Sequence, residues 1–146
     1  KKKKSSGAIA LTPGVVFTDN PVVGTNESAT TSSGAPAPGC ASYSGGDMWY
    51  SVVVPADGNI TLEMNSNPTG GGGDAGAAAY SGTCGSLTLI SCNDDDSDDG
   101  LYPIISISNP ALAGQTIYLR VWEYGNDATI NFQVSAYSAT LSVEDF

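Results

Sequence analysis

Histidine is missing from the chain, and after Lys4 the only basic residue is Arg120. The first absence removes Ser-His and Cys-His catalytic pairs and the commonest ligand of catalytic zinc. The second leaves a surface that repels nucleic acid and anionic membranes, since the formal net charge is -10 even with Lys1–Lys4 counted. No apolar run reaches the roughly 18 residues that a membrane span requires. Leu-rich periodic segments are wanting too, so nothing sustains a long amphipathic helix. Carboxylates that hydrolyse a glycoside stand apart across a cleft, whereas here the acidic residues crowd into one loop. Gly70–Gly73 are not followed by a Lys and a helix, so they make no phosphate loop. The expectation is a protein that is not an enzyme.

What is present points to one all-β domain. A chain of 146 residues with 40% hydrophobic content is long enough for a single core and too short for two domains. Lys1–Lys4 have nothing in common with the rest of the chain and read as a tag, so residues 1–6 are a lead-in, residues 7–140 the module and residues 141–146 the start of a linker. Short strands are expected at Gly7–Thr12 and Val15–Thr18, separated by Pro13-Gly14. Asn20–Gly46 is rich in Thr, Ser, Gly, Ala and Pro and reads as a surface loop pinned by Cys40. Asp47–Val54 is the strongest core strand, with Trp49 and Tyr50 assigned to the interior. Ala56-Asp57-Gly58-Asn59 then reads as the turn of a hairpin into Ile60–Met64, where Ile60, Leu62 and Met64 face inward and Thr61 and Glu63 outward. Further strands are expected at Ala75–Tyr80, Leu87–Ser91, Ile104–Ser108, Gln115–Glu123 and Ala128–Tyr137, the last two joined as a hairpin by Gly125-Asn126-Asp127. About nine strands with turn signals near every ten residues are the signature of an antiparallel β-sandwich.

Three cysteines occur, at 40, 84 and 92. Cys84 and Cys92 flank the strand-like SLTLIS segment, and a local bridge between them is expected. Cys40 is then odd, and its partner is expected upstream of residue 5, in a longer chain of which this is a fragment. A chain this poor in Lys and Arg fits an oxidising compartment better than the cytosol, so a secreted or cell-surface location is expected.

Two places suggest a ligand. Asp94, Asp95, Asp96, Asp98 and Asp99 crowd one turn without a basic neighbour, and oxygen-only donors favour a hard cation such as Ca2+. Asp95-x-Ser97-x-Asp99-Gly100 matches the first half of an EF-hand loop, but the twelfth position is Ser106 rather than Glu, so this is no EF-hand. The expected structural calcium site gathers Asp94, Asp95, Asp96 and Asp99 with Asp74 from a neighbouring strand end, or with Asp47 in that place. The plainer alternative is a solvated acidic turn. The second place is one face of Gln115–Tyr124, where Tyr118, Arg120, Trp122 and Tyr124 recur at period two beside Asn126 and Asp127. Flat aromatics with nearby amides and carboxylates suit the C–H faces and hydroxyls of sugar rings, and an Arg suits an anionic polysaccharide. The alternative is that this face packs under a loop.

Four segments in order, DMWYSVVVPADGNITLEM, then D-x-G-x-x-x-Y-S-G-T-C-G-S-L from Asp74, then CNDDD, then AGQTIYLRVWEYGN, resemble the jelly-roll accessory domains related to the bacterial pre-peptidase C-terminal domain. The resemblance runs from about Gly7 to Tyr137. Such domains occur in secreted multidomain proteins of gliding bacteria, and SVEDF is similar to the lead-in to a type IX secretion sorting segment. The resemblance implies a non-catalytic module of an exported protein, attached to a catalytic or adhesin domain; a monomer is expected. Combined with the two candidate places, it makes a calcium-stabilised carbohydrate-binding module the leading expectation. A structural or adhesive spacer, or a protein-binding accessory domain of a secreted protease, is the alternative.

Overall fold

The computed structural model describes residues 5–141; Lys1–Lys4, read above as a tag, and Ser142–Phe146, read as the start of a linker, lie outside the described residues. Nine strands occur in chain order: β1 (Ile9–Ala10), β2 (Val22–Thr25), β3 (Met48–Val53), β4 (Asn59–Ser66), β5 (Ala75–Thr83), β6 (Ser86–Asn93), β7 (Ile104–Ser108), β8 (Thr116–Glu123) and β9 (Asn131–Tyr137). They form a five-stranded sheet, ordered β1-β3-β8-β5-β6, and a four-stranded sheet, ordered β2-β9-β4-β7. The result is an all-β sandwich, as the turn spacing predicts. Short β1 runs parallel to β3, and the other strand pairs are antiparallel.

Alternation along the strands builds the space between the sheets. Tyr50 and Val52 of β3, Ile60, Leu62 and Met64 of β4, Ile117, Leu119 and Val121 of β8, and Phe132, Val134 and Ala136 of β9 share one buried cluster. Period-two placement puts each of these on the inner face of its sheet. Burying one such aliphatic or aromatic side chain stabilises by about 1.5–3 kcal/mol, so this cluster dominates the favourable side of folding.

Three local expectations are corrected by the pairing. β3 and β4 lie in different sheets, as do β8 and β9, so neither Asp57-Gly58-Asn59 nor Gly125-Asn126-Asp127 closes a hairpin. Both are crossovers from one sheet to the other, because each strand needs an inner face and the chain supplies it by changing layer. The consecutive strands that do pair are β5 and β6. Val15–Thr18 is a turn rather than a strand: the Asp19 carboxylate accepts the Val15 and Val16 amides at 2.7 and 3.2 Å, and the strand begins at Val22. Glu63 does face outward, as its alternation predicts, but it is buried there, its two oxygens accepting from the Tyr137 and Ser97 hydroxyls, each at 2.6 Å.

Residues 30–46 form a strap over the outer face of the five-stranded sheet. A second buried cluster lies beneath it, made of Ala41, Trp49, Ala78, Tyr80 and Trp122. The strap packs tightly at Gly76, since a Cβ there would collide with the Ala41 methyl and sit 2.8 Å from the Trp122 ring. A disulfide joins strap and sheet at Cys40–Cys92, with Cα atoms 6.0 Å apart.

That bond overturns the expected Cys84–Cys92 bridge and the upstream partner of Cys40. Cys84 is a free, exposed thiol at the β5–β6 turn. Cys92 is at the other end of β6, and an extended strand advances about 3.3 Å per residue. Eight residues therefore hold the two sulfurs apart by several times the roughly 7 Å that a disulfide tolerates between Cα atoms.

Candidate functional site

The antiparallel register of β5 and β6 brings the first candidate place together. Ala77 is opposite Asn93, so the residue just before β5, Asp74, comes level with the acidic loop that follows β6. One carboxylate oxygen from each of Asp74, Asp94 and Asp95 lies within 4.8 Å of the others. Asp74 Oδ1 and Asp94 Oδ1 are both shielded from solvent and have no hydrogen-bond partner among the described residues. Burial pushes the Asp94 carboxyl up to about 6, with the neighbouring Asp95 adding to the effect. Burial, then Asp95, also raises Asp74. Three carboxylates gathered without a cation disfavour one another's ionisation, and a hard divalent ion would reverse that.

The other two expected ligands are occupied elsewhere. Asp96 accepts from Asn93 Nδ2 at 2.7 Å. Asp99 accepts from the Ser66 amide and hydroxyl at 2.6 and 2.7 Å, and those hydrogen bonds outweigh its burial and hold its carboxyl below the usual range. Ser97, an oxygen donor in the partial EF-hand pattern, is buried with its hydroxyl on Glu63. Asn93 Oδ1 accepts the Asp96 and Ile104 amides at 3.2 and 3.1 Å, which ties the two ends of the loop. The loop is thus held by its own polar side chains, leaving Asp74, Asp94 and Asp95 as the residues able to hold a metal. Oxygen-only donors with two unpartnered oxygens fit Ca2+ in kind.

Asp47, the alternative ligand, is on the outer side of the five-stranded sheet with Arg120. Both are buried, at 0% and 3% exposure, and the Arg120 Nε lies 2.5 Å from Asp47 Oδ2. Tyr43 donates to the same oxygen at 3.1 Å, while the Ser32 amide and hydroxyl donate to Oδ1 at 3.1 and 3.0 Å. The guanidinium also donates to the Tyr43 and Tyr80 hydroxyls at 2.6 and 3.2 Å and lies 4.2 Å from the centre of the Tyr43 ring. This is a closed network in which charge and donors are matched.

At Arg120 and Trp122 the second candidate place is therefore not a surface. Period two is right, but the face opposite Ile117, Leu119 and Val121 is covered by the strap. Trp122 is fully buried, with its Nε1 donating to the Ala41 carbonyl at 2.9 Å and Tyr43 packed edge-on against it. Arg120 is consumed by Asp47. Tyr118 is half-buried, and Tyr124 and Asn126 are exposed. A sugar ring has no aromatic platform at Trp122, because the Tyr43 ring and the Ala41 backbone stand there. Arg120 carried the legible signal: a lone base at an alternating position among aromatics, when buried, requires a carboxylate partner.

No protein-family model matches the chain, and no curated protein matches it. Among solved structures it is similar to the crystal structure of the pre-peptidase C-terminal domain of a collagenase from Bacillus anthracis, with a TM-score of 0.49 and 12% identity over 93% of this chain and 94% of that one.

Proposed function

We propose that this chain is a non-catalytic accessory module of an exported multidomain protein, braced by Ca2+ held by Asp74, Asp94 and Asp95. The observation that carries the metal is the pair of shielded, unpartnered oxygens on Asp74 and Asp94 within one carboxylate group. Burial of an unpaired acceptor is costly, and a cation at this position would satisfy both at once. The ion's work is structural: it ties the start of β5 to the loop leaving β6, where no described residue provides a positive side chain. Export is supported by the Cys40–Cys92 bond, since disulfides persist in oxidising compartments. The order of the four sequence segments supports attachment to another domain, with type IX secretion as the route. No helix among the described residues is long and apolar enough to cross a membrane.

Burial of Trp122 and Arg120 favours a spacer or protein-accessory role over polysaccharide binding. The decisive experiment is calorimetric unfolding in EDTA and in millimolar Ca2+, with Asp94→Asn alongside. The expected result is an upward shift of Tm with Ca2+ in the parent chain and little or none in Asp94→Asn. An equal response in both, or none in either, would remove the metal from this reading.

A further inference from the structure

We propose that residues 30–46 are a strap latched by the Cys40–Cys92 bond, and that reducing this bond lets the strap leave the sheet while the two-sheet core stays folded. The two buried clusters are separate: the strap's contacts with Trp49, Ala78, Tyr80 and Trp122 make one, and the residues between the sheets make the other. Residues 30–46 contribute no strand to either sheet. Their hold on the sheet is mainly side-chain hydrogen bonds, from Trp49 Nε1 to Ser32 Oγ at 2.9 Å, Tyr80 to the Pro36 carbonyl at 2.7 Å, Trp122 Nε1 to the Ala41 carbonyl at 2.9 Å and Arg120 to the Pro36 carbonyl and Tyr43 hydroxyl, with one backbone bond from the Gly125 amide to the Ser42 carbonyl at 3.0 Å. Water can replace each of these partners once the strap lifts.

Buried charge would ordinarily forbid such local opening, because an orphaned Arg is expensive. Here Asp47 immediately precedes β3, and Met48 is registered against Val121 of β8, next to Arg120. The ion pair therefore stays with the sheet when Ser32, Pro36, Ala41 and Tyr43 depart. What remains to hold the strap in place is one covalent link near its middle, across a sequence separation of 52. Local segments with few ladder bonds open more readily than the core. A dithiol reductant supplies the two electrons and two protons: its own thiols become a disulfide, and Cys40 and Cys92 become thiols.

The chain carries its own reporter. Both of its tryptophans, Trp49 and Trp122, belong to the strap-covered cluster. In a Cys84→Ser background, which removes thiol exchange, dithiothreitol is added and reduction of the bond is followed by mass. The expected result is red-shifted tryptophan emission with several-fold greater acrylamide quenching, while amide exchange in β4 and β9 stays as slow as in the oxidised protein. The Cys40→Ser, Cys92→Ser form is expected to show the same state without reductant. Unchanged emission after complete reduction would overturn the proposal, and so would simultaneous loss of β4 and β9 protection.

Discussion

At Asp47 the chain brings its own cation, whereas at Asp94 no described residue supplies one. Both carboxylates are drawn out of solvent by the same five-stranded sheet, one under the strap and one at the β5–β6 end. Asp47 is matched by Arg120, Tyr43 and Ser32, so its burial is compensated within the polypeptide. Asp94 stands against Asp74 and Asp95, so its burial raises its proton affinity and leaves an oxygen without a partner. The difference separates a finished structural network from a place that asks for an ion or a proton.

Breaking the matched side is expected to have the largest effect. Arg120→Met leaves Asp47 buried and unpaired and should cost about 3–5 kcal/mol in denaturant unfolding, with Asp47→Asn added in the same chain recovering much of it. A double variant no more stable than Arg120→Met would mean that Arg120 acts through packing alone. Next comes the latch. Cys40→Ser should cost about 2–4 kcal/mol at equilibrium, mainly by freeing the unfolded chain, and the Cys84→Ser control should cost far less.

On the unmatched side, saturating Ca2+ at about one hundred times its dissociation constant should add about 2.7 kcal/mol, and Asp74→Asn should abolish the gain. The pH dependence sharpens the contrast further. Asp94 titrates higher in the folded than in the unfolded chain, so its contribution to stability is fully present below the ordinary Asp value of 3.8 and is lost as pH rises through about 6. In EDTA, Tm measured from pH 6.5 down to 4.5 should therefore fall less steeply, or rise, relative to Asp94→Asn. In Ca2+ the order should reverse, because protons then compete with the metal. Identical pH profiles for the two chains in EDTA would show that Asp94 is not perturbed. The smallest effect is expected at Tyr124→Ala, an exposed side chain whose loss should change stability by no more than about 0.5 kcal/mol.

Much of the sandwich was legible in the sequence because it is written at period two. Ile117, Leu119 and Val121, and Ile60, Leu62 and Met64, alternate as half-buried strands do, and each set faces the core. Misreadings fell where residues alone do not reveal the partner. Asp57-Gly58-Asn59 is a good turn in either a hairpin or a crossover, and only pairing distinguishes them. Trp122 reads as surface if no layer covers the outer face, and the covering layer is a polar, Gly-rich segment without periodicity. Cys92 lies near Cys84 in sequence yet bonds Cys40, because strand extension separates neighbours and folding brings the strap across.

At the acidic loop, residue type and crowding were visible, but selection among the aspartates was not. Asp96 and Asp99 differ from Asp94 and Asp95 only in what stands opposite them, namely Asn93 and Ser66. By itself, then, the amino-acid order determined an all-β chain with one core, a near-absence of cations and a knot of carboxylates, since these arise from side-chain period and charge. Tertiary structure alone decided which carboxylate received Arg120, which three were left together and which cysteine closed the strap. Those outcomes depend on the register between strands distant in the chain, and register is a property of pairs of segments, not of either segment alone.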